Sequence, residues 1–333
     1  MAVRIGFLAP IVVYIVIFFG YPLASNLAMS VREFSAASFF TGEAPFVGLD
    51  NYVAVASDPV FGTALFNTAI FTVASLAFQF GIGLALAVFF QRHFPLNGVL
   101  RSLLLIPWLL PLIVSGTVWR WIFDQEYGVL NQSLLGMGLI DSPVSWLSST
   151  SVALTAVTIA NIWVGIPFNM VILYGGLQAI PTQLYEAAQL DGAGPWRRFT
   201  TITWPLLRPV TAVVLMLGLV YTLKVFDVIM VLTQGGPANA TQTLTTWAYF
   251  QSFQDLDFGQ GAAIGNLLIL IAVVFAVFYL RSTRQAAEDA GREYGRPRAG
   301  LLHRLVRRPR QTTPDEPRDT TPASLGSRER GEP

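Results

Sequence analysis

The chain has no cysteine, a single lysine, two histidines and few charges of either sign. The missing cysteine excludes a disulfide framework, thiol chemistry and any Cys-ligated metal site. His93 and His303 lie far apart in polar segments and no H-E-x-x-H pattern occurs. Nothing here points to metal catalysis, although a carboxylate-only site stays open. Lys224, the one lysine, sits in Y-T-L-K-V-F-D with no glycine-rich loop before it. A nucleotide phosphate loop needs G-x-x-x-x-G-K-S/T, because backbone N–H groups and the lysine hold the phosphates together. That motif is absent, so if ATP drives this protein another chain binds it. Charged residues make up 12% of the chain and hydrophobic ones 53%, with mean hydropathy +0.54. A soluble domain carries roughly twice that charge.

What the chain does have is long apolar runs. They fall at about 5–29, 61–90, 99–123, 152–177, 207–232 and 261–280. At about 1.5 Å per residue each spans the roughly 30 Å hydrocarbon core of a bilayer. The first is too long for the apolar region of a signal peptide, which counts against cleavage at Ala24-Ser25. Small residues in the second (Gly81, Gly83, Ala85, Ala87) allow close helix approach. Pro107 and Pro111 predict a kink in the third. The organisation expected is a first helix within 1–30, a core of five helices over 61–284 with an inter-span loop at 181–208, and a disordered Arg/Pro-rich tail at 285–333. Residues 301–308 in that tail read as part of a solvated topology anchor, or else as a membrane-surface contact.

The arginines orient the spans. With the N-terminus inside, inner segments hold Arg4, Arg92, Arg101, Arg197, Arg198, Arg208 and all tail arginines, and outer segments hold only Arg32 and Arg120. This positive-inside pattern predicts an all-α polytopic membrane protein of six transmembrane helices with both termini cytoplasmic. It also puts the most polar inter-span stretch, Glu186 to Pro209, in the cytoplasm. There Thr182 is expected to cap a short helix, with Glu186 in its first turns complementing the dipole. Gly192 is expected to supply φ > 0 at the turn that follows.

This stretch, E-A-A-Q-L-D-G-A-G-P-W-R-R-F-T-T-I-T-W-P-L-L-R-P, resembles the E-A-A-x-x-x-G-(x9)-I-x-L-P signature of permease subunits of binding-protein-dependent ABC importers, the carbohydrate branch in particular. Glu186, Ala187, Ala188, Gly192, Ile202 and Pro205 match, and Trp204 replaces the usual leucine. Phe46 to Tyr52 resembles the family's F-x-G-L-x-N-Y, and Asn67-Thr68, the N-I-W-V-G-I-P run from Asn161 and the L-T-Q-G-G-P run from Leu232 recur in sugar permeases. The resemblance covers roughly 5–284. It implies the type I ABC importer permease fold, and a coupling role for Glu186, Ala187, Ala188, Asp191, Gly192, Ala193 and Gly194 against an ATPase subunit. The implied partners are a second, homologous permease, two cytoplasmic ATPases that bind ATP and Mg, an extracytoplasmic sugar-binding protein, a sugar and the lipid of a bacterial or archaeal plasma membrane. The chain itself would bind no cofactor, catalyse nothing and have no nucleic-acid partner.

Two sets of polar residues lie at membrane depth. Lys224 and Asp227 are three apart, so they are expected to lie on one helix face. They either line the translocation pathway or form an ion pair that fixes the helix against a neighbour. The resemblance to maltose-type permeases carries over a sugar site onto Trp108, Asn161, Gly165, Gly218, Tyr221 and Thr222. Charges near Lys224 stand where that family has amides, which leaves the sugar open. Asn67, Gln79, Asn169 and Asn266 are read as interhelical hydrogen-bonding groups. A membrane enzyme would need clustered acids or histidines at one face, and a self-sufficient secondary transporter would need inverted repeats with paired broken helices. Neither pattern is evident.

Overall fold

A computed structural model describes residues 2–294. Among them no β-strand forms, and helices account for most of the chain. One compact unit, Met1–Arg284, contains α1 (Leu8–Ser30), α2 (Pro59–Phe90), the bent pair α3 (Asn97–Leu109) and α4 (Leu112–Ile122), and α5 (Ala153–Gln178). It continues with α6 (Thr182–Leu190), α7 (Pro195–Leu223), α8 (Asp227–Leu232), α9 (Leu244–Phe253) and the apolar part of α10, Phe258–Tyr279. In the second unit, Gln285–Pro333, helix continues through Tyr294, so the first part of the expected tail is helical. The rest of that tail, with its 301–308 patch, lies outside the described residues.

The third and fifth spans are broken. Pro107 and Pro111 remove two backbone donors, and α3 meets α4 at 97°. The fifth span was expected to be continuous over 207–232. Instead α7 ends at Leu223 and α8 starts at Asp227. No glycine or proline marks this break. The Leu223 carbonyl is taken by the Thr245 hydroxyl (2.8 Å), while Val225 and Phe226 turn into separate packing sites.

The unbroken pair α2 and α5 forms the axis of the unit. They run parallel in one register over three successive turns. Asn161 Nδ2 donates to Ser75 Oγ at 2.9 Å, the Gln79 amide lies over Gly165, and Asn169 lies over Gly83. Each glycine is required by the close approach: a Cβ at Gly83 would stand 2.7 Å from Asn169 Cβ, and one at Gly165 would overlap the Gln79 amide. Gln79 Nε2 also donates to the Asn161 carbonyl (3.0 Å). This polar layer separates two apolar clusters. One gathers Phe71, Val157, Ala160, Val228 and Ile229. The other gathers Ala87, Phe90, Met170, Leu177 and Leu207. A Gly83→Val variant is expected to lose about 1–3 kcal/mol through overpacking, read as a lower thermal midpoint in detergent.

The remaining polar residues clip the outer end. Asn67 Nδ2 lies 2.9–3.2 Å from the carbonyls of Asn239, Ala240 and Gln242, so it holds a loop rather than a helix. Thr68 Oγ1 accepts the Leu244 N–H at 2.9 Å. Asn51 Nδ2 donates to the carbonyls of Ser30 and Arg32, and Tyr52 shares hydrogen bonds with Ser30 and Asn266. The F-x-G-L-x-N-Y segment is therefore a structural clip between the end of α1 and the start of α10. Asn266 does bond across helices, to Asn26, but Asn169 does not: its amide donates to the Gly165 carbonyl within α5.

Candidate functional site

A cavity of about 460 Å³ opens at the level of the polar layer, where both spans break. All eight residues read from the sequence as a substrate pathway line it: Trp108, Asn161, Gly165, Gly218, Tyr221, Thr222, Lys224 and Asp227. α3 brings Trp108, α5 brings Asn161 and Gly165, and α7 brings Gly218, Tyr221 and Thr222. Lys224 and Asp227 flank the break rather than sharing the face of one helix, because Lys224 already has non-helical dihedrals (φ −95°, ψ 9°). Among the described residues they form no ion pair with each other. Lys224 Nζ lies over the Tyr221 ring, 4.8 Å from its centroid.

The wall of this cavity is an aromatic ladder. Trp108 packs on Phe168 (5.7 Å between centroids), Phe168 on Tyr221 (5.8 Å), and Tyr221 carries the ammonium. Such a wall offers flat apolar surface with a cation and a carboxylate at one end, suited to a ligand with an apolar ring face and a hydroxyl-bearing edge. Asn161 contributes less than its type suggested, since its Nδ2 already donates to Ser75 Oγ. Sequence reasoning missed Phe168 and Phe226, which line the cavity; Gln79, read as an interhelical hydrogen-bonding group, makes that bond to the Asn161 carbonyl and lines the cavity as well. A phenylalanine inside an apolar run carries no signal of its own.

The loop between α5 and the body of α7 is built as a helix, a turn and a second short helix, Pro195–Arg198. α6 ends at Leu190, and Gly192 stands at φ 73°. Ala193 N–H donates to the Ala188 carbonyl and Gly192 N–H to the Gln189 carbonyl. This pair of bonds is a Schellman motif, which needs the left-handed residue that glycine supplies. The cap at the other end differs from expectation. Pro181 occupies the N-cap position and Thr182 is the first helical residue without a side-chain cap bond, while Glu186 lies in the second turn. Glu186, Asp191, Gly192 and Gly194 are exposed, Ala187 likewise, with Ala188 and Ala193 half-buried. Between them Leu190 and Trp196 stand 91% and 76% exposed, a patch of large apolar surface on a polar loop. Tyr185 and Ile202 pack on the inner apolar cluster, and the Tyr185 and Thr203 hydroxyls are 2.9 Å apart, so the loop is fastened to α5 and α7. A π turn at Phe199–Thr203 lies inside α7, between its first turn, Pro195–Arg198, and the rest of the helix. Pro205 and Pro209 cannot donate backward there, and the Thr200 and Thr201 hydroxyls bond the Trp196 and Arg197 carbonyls.

A multi-pass helical protein with an aromatic cavity at its helix breaks and an exposed apolar patch on an inner loop has the parts of a membrane transport subunit. The chain belongs to the family described as binding-protein-dependent transport system inner membrane component, whose model matches residues 77–285. It is 38% identical over 283 residues to the trehalose/maltose transport system permease protein of Thermococcus litoralis, covering 84% of this chain and 94% of that one. It is 35% identical to the sulfoquinovosyl glycerol transport system permease protein of Agrobacterium fabrum, covering 83% and 89%. Its fold is shared with a bacterial ABC transporter involved in import of the acidic polysaccharide alginate, at TM-score 0.73 and 23% identity over 85% of this chain and 95% of that one.

Proposed function

We propose that this chain is a pathway-forming permease subunit of an ATP-driven carbohydrate importer. The observation that carries this is the cavity at the paired helix breaks, with its aromatic ladder ending in Lys224 and Asp227. The names of the relatives, which transport trehalose/maltose and sulfoquinovosyl glycerol, support a sugar as cargo. The complex would hold a second permease, two ATPase subunits that bind ATP and Mg, and an extracytoplasmic binding protein. In a solved relative of the same fold the binding protein carries an alginate pentasaccharide. The mechanism is alternating access. The ATPases close on ATP, the Glu186–Gly194 loop moves with them, and α7 carries the movement to Tyr221 and the break at Lys224. Hydrolysis returns the cavity to the cytoplasm.

Reconstitution with these partners tests the proposal, each candidate sugar being delivered on the binding protein and scored by stimulated ATP hydrolysis. Stimulation by at least one sugar is expected, and a purified complex that lacks an ATPase chain sinks the importer reading. A Lys224→Met variant is expected to keep basal hydrolysis and lose sugar affinity by roughly tenfold, the scale of one charge-assisted hydrogen bond. Unchanged uptake would remove Lys224 from the pathway.

A further inference from the structure

A second cavity, of about 510 Å³, lies between the end of α4, the 145–148 turn and the segment after α8. The arginine distribution puts it on the outer face. The two cavities share α4 and α8 as a wall: Leu112 and Asp227 face the inner one, Arg120 and Val231 the outer one. Gly116 packs on Val231 between them, where a Cβ would come within 2.9 Å of Val231 Cγ1.

The outer cavity has an aromatic floor and planar polar walls. Trp146, half-buried, forms that floor, and Phe123, 1% exposed, packs beneath it with ring centroids 5.9 Å apart. Trp146 is held in place by its Nε1 donating to Asn131 Oδ1 at 2.9 Å, and Asn131 is fully buried. Around this floor stand Arg120, Asp124, Gln125 and Gln234. Asp124 Oδ1 accepts the N–H groups of Glu126 and Tyr127, which fixes the carboxylate and leaves Oδ2 for a ligand. Gln125 Oε1 accepts from Ser145 Oγ, which leaves its amide to donate. Arg120 is exposed and, among the described residues, has no acidic partner.

We infer that this cavity is an outer carbohydrate subsite, distinct from the one at the helix breaks; the inference rests on the importer reading above. A pyranose presents a C–H face and a rim of hydroxyls that each donate and accept. An aromatic floor meets the first. A fixed acceptor (Asp124) beside a fixed donor (Gln125) and the Arg120 guanidinium, unpaired among the described residues, meets the second, because a hydroxyl pair can bond both kinds at once. A sugar released by the binding protein would rest here before α4 and α8 separate.

The test uses the assembled complex in nanodiscs without binding protein, and saturation-transfer NMR with maltose, trehalose, arabinotriose and diacetylchitobiose as probes. At least one probe is expected to bind, with Arg120→Ala and Gln234→Ala each weakening it roughly tenfold. Neither side chain bonds within the chain among the described residues, so folding is unaffected. A Lys224→Met complex should retain this Arg120-dependent component. Binding that persists in both outer variants and vanishes in Lys224→Met overturns the outer subsite while the importer reading stands. Binding of none of the four probes also overturns it. Failure of every sugar-loaded binding protein to stimulate ATP hydrolysis would instead remove the importer reading, and an Arg120-dependent NMR signal would still stand.

Discussion

A Gly192→Trp variant is expected to fold and insert at wild-type yield yet lose ATP-driven uptake. A Cβ at Gly192 meets no atom within 4 Å among the described residues and Gly192 is exposed, so the new side chain leaves the turn toward solvent. The only intrinsic cost is the left-handed backbone at φ 73°, about 1–3 kcal/mol for a non-glycine residue. A Gly192→Asn control separates the two effects, because asparagine tolerates that backbone while still adding bulk. Failure of both variants to couple would locate the defect in a surface that needs a bare turn. Glu186→Lys belongs to the same experiment. Glu186 is exposed and its side chain makes no hydrogen bond within the described residues, so its carboxylate is free for a partner. Losing one side of a docked, hydrogen-bonded charge pair costs about 2–5 kcal/mol, which is roughly 30-fold or more in affinity. The measurements are uptake into proteoliposomes, ATP hydrolysis and recovery of the ATPase on purification. Normal coupled transport in Gly192→Trp and Glu186→Lys together would remove the coupling role.

The second large effect is expected at Gly165. A Gly165→Val side chain overlaps the Gln79 amide and occupies space at the edge of the inner cavity. Gln79 must then move, and the bond from its Nε2 to the Asn161 carbonyl is lost. A buried group left unpaired costs about 1–3 kcal/mol, and overpacking costs a similar amount. Thermal stability should fall, and sugar-stimulated hydrolysis should be lost even at temperatures where the variant stays folded. A Gln79→Ala/Gly165→Val double variant should regain part of the stability, since the amide that collides is gone. If the double variant is no more stable than Gly165→Val alone, the Gln79 contact is not what requires a glycine at this position.

Much of the architecture was legible because membrane spans write themselves as apolar runs. Five of the six appeared within a few residues of their expected limits, and the break in the third was announced by Pro107 and Pro111. The break in the fifth was not. L-K-V-F-D carries no local signal, and the helix stops there because Thr245, Tyr249 and the outer apolar cluster compete for its residues. That competition is tertiary and invisible in a linear pattern. The same limit explains Asn67 and Asn161. Their amides were visible as polar groups in apolar runs, but whether such a group faces a ligand, a loop or a neighbouring helix depends on what folds over it. Gly192 was readable for the opposite reason: the helix stop and its left-handed residue are local.

The shared register of α2 and α5 also bears on how the specificity of this protein can change by mutation. At the polar layer a bulkier residue on one helix demands a smaller one at the matching position on the other, as Gln79 over Gly165 and Asn169 over Gly83 show. Single substitutions on this side are penalised before any new cargo is gained. Trp108 and Tyr221 pack on Phe168 but stand 48% and 53% exposed, so a change in either has open space that the seam lacks. Adaptation to a new sugar is therefore easier along the aromatic ladder, while the α2–α5 seam changes only by paired steps.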